Sequence, residues 1–303
     1  MSVRFAVSPI AWLNDDMPQL GAGTSVSSIL ADAQAIGFSG IELGGSFPRN
    51  AGVLRALLEP FGLALAGGWF GGALLERGLA AQAAAVGDHL ALLAALDCRV
   101  FIYAETSGAV HGRRETSLAA RPRLSPGDRT RLADELSDLA DLVAAEGLAL
   151  AYHPHLGTVI EDGEDLEFLL AHTDSRVGLT LDTGHAALAG IDPTMVIRAH
   201  PSRIAHVHAK DVRRKVFERV RRHAMSFLDG VVAGMFTVPG DGDLDWGELM
   251  RALAAIDYRG WIVVEAEQDP RKADPATHAR LGLDTLATAA RIAGLLGVKE
   301  RLA

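Results

Sequence analysis

Histidine and acidic residues follow four β-rich segments in the second half of the sequence. These segments run into the motifs YHPH (152–155), DTGH (182–185), HVHAKD (206–211) and EAE (265–267). Imidazole nitrogens and carboxylate oxygens together suit Mn²⁺, Co²⁺, Fe²⁺ or Zn²⁺, whereas the one cysteine, Cys98, cannot build a thiolate site. Each residue alone has an ordinary interpretation, and Asp182 could simply cap the next helix. Clustering of so many ionisable groups costs stability unless a cation or a catalytic task requires it, so the pattern indicates a metal site.

The elements that hold these motifs alternate between short β-rich runs and longer amphipathic runs. The predicted strands are 4–8, 40–43, 63–66, 99–103, 148–152, 177–181, 204–207 and 261–265. Predicted helices between them include 25–36, 80–96, 128–146, 246–256 and 275–295. Thr24, Ser125 and Asp192 are predicted N-caps, the last two followed by a proline at the first helical position.

Strand–helix units repeated about eight times predict an all-parallel sheet, because parallel strands need long crossovers. In 303 residues this favours an α/β fold with a single (β/α)8 TIM barrel over residues 1–303. An open doubly wound sheet is the alternative, but no Gly-x-Gly-x-x-Gly motif follows a first strand. In a barrel, active sites form at the C-terminal ends of the strands, so the four motifs are expected at one rim.

Composition narrows the class of protein. The 49% apolar and 22% charged residues are typical of a globular protein, and the formal net charge of −9 argues against binding to nucleic acid. The first residues, MSVRFAVSPIAWLNDD, lack the basic region and cleavage site of a signal peptide. No stretch approaches the roughly 20 apolar residues of a membrane span. We therefore expect a cytoplasmic protein without a membrane or nucleic-acid partner; a homo-oligomer is compatible with the sequence, which sets no number of protomers.

Two further strand ends could contact a substrate. The first strand leads to Trp12, Asn14 and Asp15, and the third leads to Trp69. A tryptophan at the barrel mouth can stack on the apolar face of a sugar-like ring, while Asn and Asp can hydrogen-bond its hydroxyl groups. Both tryptophans could equally plug the barrel. Glu42, at the end of the second strand, is open to the same two interpretations.

A run of basic residues at 213–222 follows the seventh strand. Its helical spacing predicts the solvated face of an inserted helical segment at about 213–235. In a functional alternative, Arg213 or Lys210 binds a substrate oxygen or phosphate. The glycine-rich segment PGDGD (239–243) that follows is a predicted turn that could close over the site.

At these residues the chain resembles the sugar phosphate isomerase/epimerase superfamily of xylose-isomerase-like barrels. Members of that superfamily place one metal ligand at the end of each of strands five to eight, usually Glu, Asp, His and Glu. The resemblance implies that Asp182, His208 and Glu265 are metal ligands in this chain. The fifth-strand position, normally a glutamate, falls on His153, and His155 is the alternative ligand.

Within the superfamily, an ordered set of short motifs resembles the inosose dehydratase family of myo-inositol catabolism. The motifs are SPIAWLNDD, YHPHLGT, DTGHAALAG, HVHAKDVR, FTVPGDGD and WIVVEAEQDP, which together span nearly the whole chain. That family dehydrates 2-keto-myo-inositol (scyllo-inosose) to a trihydroxycyclohexane-1,2-dione, with Co²⁺ or Mn²⁺ and also glutathione. The resemblance implies a hydro-lyase with these cofactors and a small polyol ketone as substrate.

Dehydration of a β-hydroxyketone is compatible with the residues available. It requires removal of the proton beside the carbonyl, stabilisation of the enolate, and protonation of the departing hydroxyl. We predict Glu265 as a ligand and as the base, and His185, His155 and Lys210 as candidates for the acid. Asp182 and His208 are predicted as ligands only.

Three other functions remain open at this point. A keto-sugar isomerase or epimerase shares the metal and the barrel, and differs only in whether the hydroxyl leaves. A non-catalytic sugar-binding barrel is a second alternative, since fold does not determine function, but a pure binder has no need for four converging ligands. A DNA-repair endonuclease of the same superfamily would need more histidine ligands and a basic groove, and the charge of −9 counts against it.

Overall fold

The structure, a computed structural model, describes residues 3–296 and is built around a closed barrel of eight parallel strands. The strands are β1 (Arg4–Val7), β2 (Gly40–Leu43), β3 (Ala64–Gly72), β4 (Val100–Glu105), β5 (Ala149–Tyr152), β6 (Val177–Asp182), β7 (Ile204–Ala209) and, in eighth place, β10 (Trp261–Val264). They follow chain order around the barrel, and β10 closes it by pairing with β1. The predicted TIM barrel and its eight strands are confirmed.

One strand differs in length from its prediction. β3 continues through the glycine-rich stretch 67–72, which the sequence pattern assigns to a loop. Glycine is unfavourable in strands, but here each residue from Gly68 to Gly72 pairs with β4, up to Glu105. Gly72 has to be a glycine, because a Cβ atom there would overlap the ring of Tyr103.

Twelve helices accompany the strands in the described residues, most of them packed around the outside of the barrel. Their bounds are α1 (Val26–Ile36), α2 (Ala51–Leu58), α3 (Leu74–Arg77), α4 (Leu79–Ala95), α5 (Pro126–Ala145), α6 (Gly163–His172), α7 (Thr183–Leu188), α8 (Pro193–Ala199), α9 (Arg214–Arg222), α10 (Phe227–Val232), α11 (Trp246–Ala255) and α12 (Pro275–Ala293). Ser125 and Asp192 cap α5 and α8 as predicted. The cap of α1 is Ser25 and not Thr24, because the Ser25 hydroxyl oxygen accepts the N–H of Ser28. Within residues 3–296, no helix combines the length and the apolar character that crossing a membrane requires.

The chain between β7 and α11 adds a small unit to the C-terminal face of the barrel. It contains a two-stranded antiparallel sheet of β8 (Asp211–Val212) and β9 (Phe236–Thr237), with α9 and α10 between the two strands. Its apolar side chains, including Phe227 and Phe236, pack with those of the loops after β1, β4 and β5. The basic residues of α9 form an exposed face, as their spacing predicts. This unit therefore builds one wall above the ends of the barrel strands.

Candidate active site

The C-terminal ends of the barrel strands surround a cavity that opens to solvent. Its volume is about 690 Å³ with the open mouth included, which is a typical size for a small-molecule site. The lining residues are Ser8, Pro9, Ile10, Asp15, Asp16, Glu42, Leu43, Gly44, Trp69, His111, His153, His155, His208, Glu265 and Glu267. Polar groups from six strand ends therefore meet where barrel enzymes assemble their active sites.

Strand register brings the four predicted metal ligands together. Asp182, the last residue of β6, pairs with His208 on β7, and His208 pairs with Val263, two residues before Glu265. His153 follows the last residue of β5, and its Nε2 lies 3.6 Å from Asp182 Oδ2. Nδ1 of His208 lies 3.7 Å from that oxygen and 3.0 Å from Glu265 Oε2. All four side chains are buried, and His153, Asp182 and His208 form a group that could hold a metal ion, with Glu265 in contact with His208.

The two carboxylate oxygens of Asp182 have different surroundings, which correspond to its two sequence interpretations. Oδ1 accepts two backbone N–H groups at the start of α7, each at 2.8 Å, and so caps that helix. Oδ2 accepts no hydrogen bond from the described residues and faces His153 and His208. Burial alone would raise the pKa of Asp182, but the nearby Lys210 ammonium holds it well below its usual value. Oδ2 is therefore an ionised oxygen without a hydrogen-bond partner, which suits it to bind a cation.

The two ring nitrogens of His208 face acidic groups on opposite sides. Nε2 lies 3.0 Å from Glu42 Oε1, while Nδ1 faces Asp182 and Glu265. Burial would lower the pKa of His208, but the carboxylates of Glu265 and Glu42 outweigh it and raise the pKa well above its usual value. The side of the ring that carries Nδ1 therefore favours a positive charge, either a proton or a metal ion.

The donor set at this point fits a divalent cation. It offers two imidazole nitrogens and two carboxylate oxygens, and neighbouring ligands of an ion such as Zn²⁺ lie about 3.0–3.4 Å apart. The separations here are 3.0, 3.6 and 3.7 Å. Asp182 Oδ2 and His208 Nδ1 are buried polar atoms that form no hydrogen bond within residues 3–296. Their charged neighbours are Lys210, at 3.3 Å from Oδ2, and Glu265, at 3.0 Å from Nδ1, and a bound ion would give both atoms a direct partner.

Lys210 lies behind the carboxylates that line the cavity. Its side chain is fully buried, with Nζ 2.5 Å from Glu265 Oε1, 2.7 Å from Glu267 Oε1 and 3.3 Å from Asp182 Oδ2. Burial would lower the pKa of Lys210, but these three carboxylates outweigh it and raise the pKa well above its usual value. Gly184 makes room for this side chain, because a Cβ atom there would lie 2.7 Å from Lys210 Cγ. The ammonium group is therefore a permanent positive charge that holds the acidic groups in place.

A second group of histidines lines the other side of the cavity against aromatic rings. Nδ1 of His155 donates to the carbonyl oxygen of Leu156 at 2.8 Å, which leaves Nε2 as an acceptor. Nδ1 of His185 accepts the N–H of Leu156 at 3.2 Å, and its Nε2 lies 3.2 Å from Lys210 Nζ. The His185 ring stacks on Phe227 and also contacts Phe236. The unit between β7 and α11 therefore supplies the apolar wall of this side.

This aromatic surrounding sets the protonation of the two histidines. Burial, together with His185, lowers the pKa of His155 well below its usual value. Burial and the Lys210 ammonium do the same for the pKa of His185. Both rings are therefore neutral at physiological pH, the opposite of His208.

The mouth of the cavity carries three residues that can meet a substrate. Trp69 is 43% exposed and lines the cavity, and its contact with a substrate ring stays a prediction. Asp15 and Asp16 line the cavity as well, and Asp15 also accepts the N–H of Gly45 at 2.9 Å. Burial, Glu267 and Asp15 raise the pKa of Asp16 to about 6.

Three residues predicted to bind substrate have other positions. Trp12 is 4% exposed and belongs to the hydrophobic core, where its indole N–H donates to Asp32 on α1. Asn14 is buried, and its Oδ1 accepts the N–H groups of Asp16 and Met17, so it shapes the loop after β1. We correct the predictions that Trp12 and Asn14 bind substrate, because both side chains form their hydrogen bonds away from the cavity.

Arg213 is also engaged elsewhere. It donates to the carbonyl of Gly234 and to Thr237, and it forms an ion pair with Asp241 at 2.5 Å. It therefore joins the two ends of the unit between β7 and α11. We correct its prediction as a substrate ligand, because its guanidinium group is used to hold this unit together.

Sequence reasoning missed several residues of the site. Glu267 was recognised only as part of the EAE motif, although it lines the cavity and pairs with Lys210. His111 lies in the long loop between β4 and α5 and contacts the His155 ring. The unusual length of that loop was the available signal, since long loops in compact domains are often functional. The sequence pattern does not single out Phe227, and it includes Phe236 only as the first residue of the FTVPGDGD motif.

Comparison with known proteins agrees with this architecture. The profile of the family described as "Xylose isomerase-like TIM barrel" matches residues 30–289. The chain belongs to this family, which confirms the resemblance indicated by its motifs. Solved structures with the same fold include the 3-keto-D-glucoside 4-epimerase YcjR from E. coli, with a TM-score of 0.68 and 19% identity over 94% of this chain and 99% of that one.

The similarity is closer to two groups of curated relatives. The rhizopine catabolism protein MocC of Rhizobium meliloti is 43% identical over 97% of this chain and 90% of its own length. An inosose dehydratase of Geobacillus thermodenitrificans is 39% identical over 91% of this chain and 94% of its own. An inosose dehydratase of Clostridium tetani is 37% identical over 91% of this chain and 94% of its own.

Proposed function

We propose that this protein is a metal-dependent dehydratase that converts 2-keto-myo-inositol to a trihydroxycyclohexane-1,2-dione. The observation that carries the proposal is the grouping of His153, Asp182 and His208, with Glu265 in contact with His208, beside a polar cavity that His153, His208 and Glu265 line. The inosose dehydratase relatives support a dehydratase role in inositol catabolism.

In this proposal the same four residues hold the metal ion, for which we favour Mn²⁺ or Co²⁺. When bound, the ion supplies a Lewis acid that stabilises the enolate formed beside the substrate carbonyl. Glutathione, a cytoplasmic location and a homo-oligomeric state remain predictions. Activity with and without glutathione tests the first of these.

We assign removal of the substrate proton to Glu267 in preference to Glu265. Both oxygens of Glu265 are engaged, one by Lys210 and the other by His208. Glu267 lines the cavity, and its Oε2 has no hydrogen-bond partner in the described residues. The Lys210 ammonium at 2.7 Å from the other oxygen orients this carboxylate.

We assign protonation of the departing hydroxyl to Asp16. With a pKa of about 6 it is partly protonated near neutral pH, and it lines the same cavity as Glu267. Lys210 and His185 were candidates for this step, but Lys210 lies behind the carboxylates and His185 is neutral. His155 presents an acceptor nitrogen and binds a substrate hydroxyl instead.

The direct test is an assay with 2-keto-myo-inositol and metal-loaded enzyme. Appearance of the ultraviolet absorbance of the enolised dione, together with about one equivalent of metal in protein purified without chelator, would support the proposal. Ketohexoses serve as the comparison, because turnover of these alone would favour an isomerase or epimerase. Protein that holds no metal and turns over neither substrate would contradict the proposal.

The MocC relative favours a second candidate, a step in rhizopine catabolism. The two candidates can be separated by growth of a strain that lacks this gene. Loss of growth on myo-inositol supports the first candidate. Loss of growth on rhizopine alone supports the second.

A further inference from the structure

Glu42 connects the second strand of the barrel to the proposed metal centre. It is buried at the end of β2 and is 6% exposed. Its Oε1 lies 2.8 Å from His206 Nε2 and 3.0 Å from His208 Nε2, the distances of N–H···O hydrogen bonds. The space for this carboxylate depends on Gly67, because a Cβ atom there would lie 3.0 Å from the same oxygen.

These contacts determine which nitrogen of His208 is protonated. An ionised carboxylate oxygen only accepts hydrogen bonds, so each ring nitrogen in contact with it carries a proton. Nε2 of His208 therefore carries a proton, and Nδ1, which faces Asp182 and Glu265, is the nitrogen that can exchange a proton for a metal ion. The second hydrogen bond, from His206, holds Oε1 in place.

We propose that Glu42 is a positioning residue that makes Nδ1 the metal-binding atom of His208. This inference rests on the proposed metal centre and concerns a residue on the opposite side of the barrel from β6. A carboxylate that accepts the N–H of a ligating histidine fixes both the tautomer and the orientation of the ring. His206 contributes by holding Glu42, and not by binding the ion.

Three variants of the full-length protein test this inference. Glu42→Ala removes the acceptor, and metal affinity should fall by about 10–100-fold. Glu42→Gln keeps an amide oxygen that accepts both N–H groups, and its affinity should stay within about threefold of wild type, since the geometry is preserved. The matched control is Glu105→Gln, which alters a fully buried carboxylate at the end of β4 that binds Tyr103 and two backbone N–H groups. Its metal affinity should equal that of wild type.

Affinity is measured by calorimetric titration of chelator-treated protein with Co²⁺, and geometry by the visible absorption of bound Co²⁺. The spectra of wild type, Glu42→Gln and Glu105→Gln should coincide, while that of Glu42→Ala should shift. If Glu42→Ala binds Co²⁺ with wild-type affinity and spectrum, Glu42 has no positioning role. If Glu42→Gln loses as much affinity as Glu42→Ala, charge and not geometry is responsible, and the inference is wrong.

Nitrogen NMR of histidine-labelled protein loaded with Zn²⁺ gives a second readout, which holds even if Glu42→Ala folds poorly. The wild-type His208 signal, assigned by comparison with a His208 variant, should show a protonated Nε2 and a metal-shifted Nδ1. The reverse pattern would overturn the inference while leaving the metal centre intact. Wild-type protein that binds neither ion would instead contradict the proposed function and this inference together.

Discussion

The two sides of the cavity use the same residue type in opposite states. On the acidic side, carboxylates surround His208 and raise its pKa. On the aromatic side, burial against Phe227 and Phe236 lowers the pKa of His155 and His185. The comparison shows that a histidine at a strand end acquires its role from the groups that the neighbouring elements bring to it. Charge is concentrated on one side, which suits an ion, and neutral hydrogen-bonding groups lie on the other, which suits a polyol.

Removing a proposed metal ligand from the acidic side should have the largest effect. In Asp182→Asn, the side-chain oxygen can still accept the N–H groups at the start of α7. The ionised Oδ2, however, is replaced by a neutral amide nitrogen. We expect loss of bound metal and a fall in kcat/KM of at least about a thousandfold, because a bound metal supplies several kcal/mol of transition-state stabilisation. The melting temperature of the metal-free protein should change little. Full metal content in Asp182→Asn would remove Asp182 from the ligand set.

Lys210→Met removes the buried ammonium group that lies between the acidic side and the aromatic side of the cavity. It leaves Glu265, Glu267 and Asp182 without their buried counter-charge, and breaking buried pairs of this kind costs about 3–5 kcal/mol. We expect a lower unfolding midpoint in denaturant and a loss of kcat of about a hundredfold or more, because Glu267 is no longer oriented.

The affinity of Lys210→Met for metal distinguishes a charge role from a general loss of structure. A nearby ammonium repels a divalent cation, so its removal should tighten Co²⁺ binding. Weaker binding in a variant with a wild-type circular dichroism spectrum would show that Lys210 instead shapes the metal centre.

Asp16 provides a test based on pH. If the protonated form of Asp16 donates the proton, kcat/KM should fall as pH rises above about 6. Asp16→Asn should not show this fall, and its kcat at pH 6 should be about a hundredfold lower than that of wild type. A profile that rises through pH 6 would show that the ionised form is required and would contradict the assignment.

Stability gives an independent check on the pKa of Asp16. Its pKa in the folded protein lies above the usual 3.8, so the folded state binds more protons between about pH 4 and 6. The free energy of unfolding of wild type should therefore decrease as pH rises through this range. In Asp16→Asn no carboxyl group titrates at this position, so the free energy of unfolding should decrease less. The melting temperatures of the two proteins, compared at pH 4 and pH 7, measure this difference.

The barrel and the position of its polar rim could be predicted because both depend on local pattern. Strand segments are identified by apolar runs, and the residue that follows each run must reach the C-terminal face, as Asp182 and His153 do. The direction of a loop side chain depends instead on packing between distant elements. Trp12 illustrates this, because its partner Asp32 lies on a helix twenty residues later. The same holds for Phe227, whose contact with His185 depends on how the unit after β7 folds back over the barrel.

The smallest effect should come from His155, and it decides which histidine of the fifth strand binds metal. The bond from Nδ1 to the Leu156 carbonyl leaves Nε2 as an acceptor in the cavity, where it can bind one substrate hydroxyl. His155→Gln should therefore keep wild-type Co²⁺ affinity and raise KM about tenfold, since a single hydrogen bond contributes about 1.4 kcal/mol or less. His153→Gln is the matched control and should lose metal, because His153 Nε2 faces Asp182 Oδ2 at 3.6 Å. If His155→Gln instead loses metal and His153→Gln keeps it, His155 is the ligand. The metal then lies on the aromatic side with His185 and Glu267, a grouping that could also hold an ion.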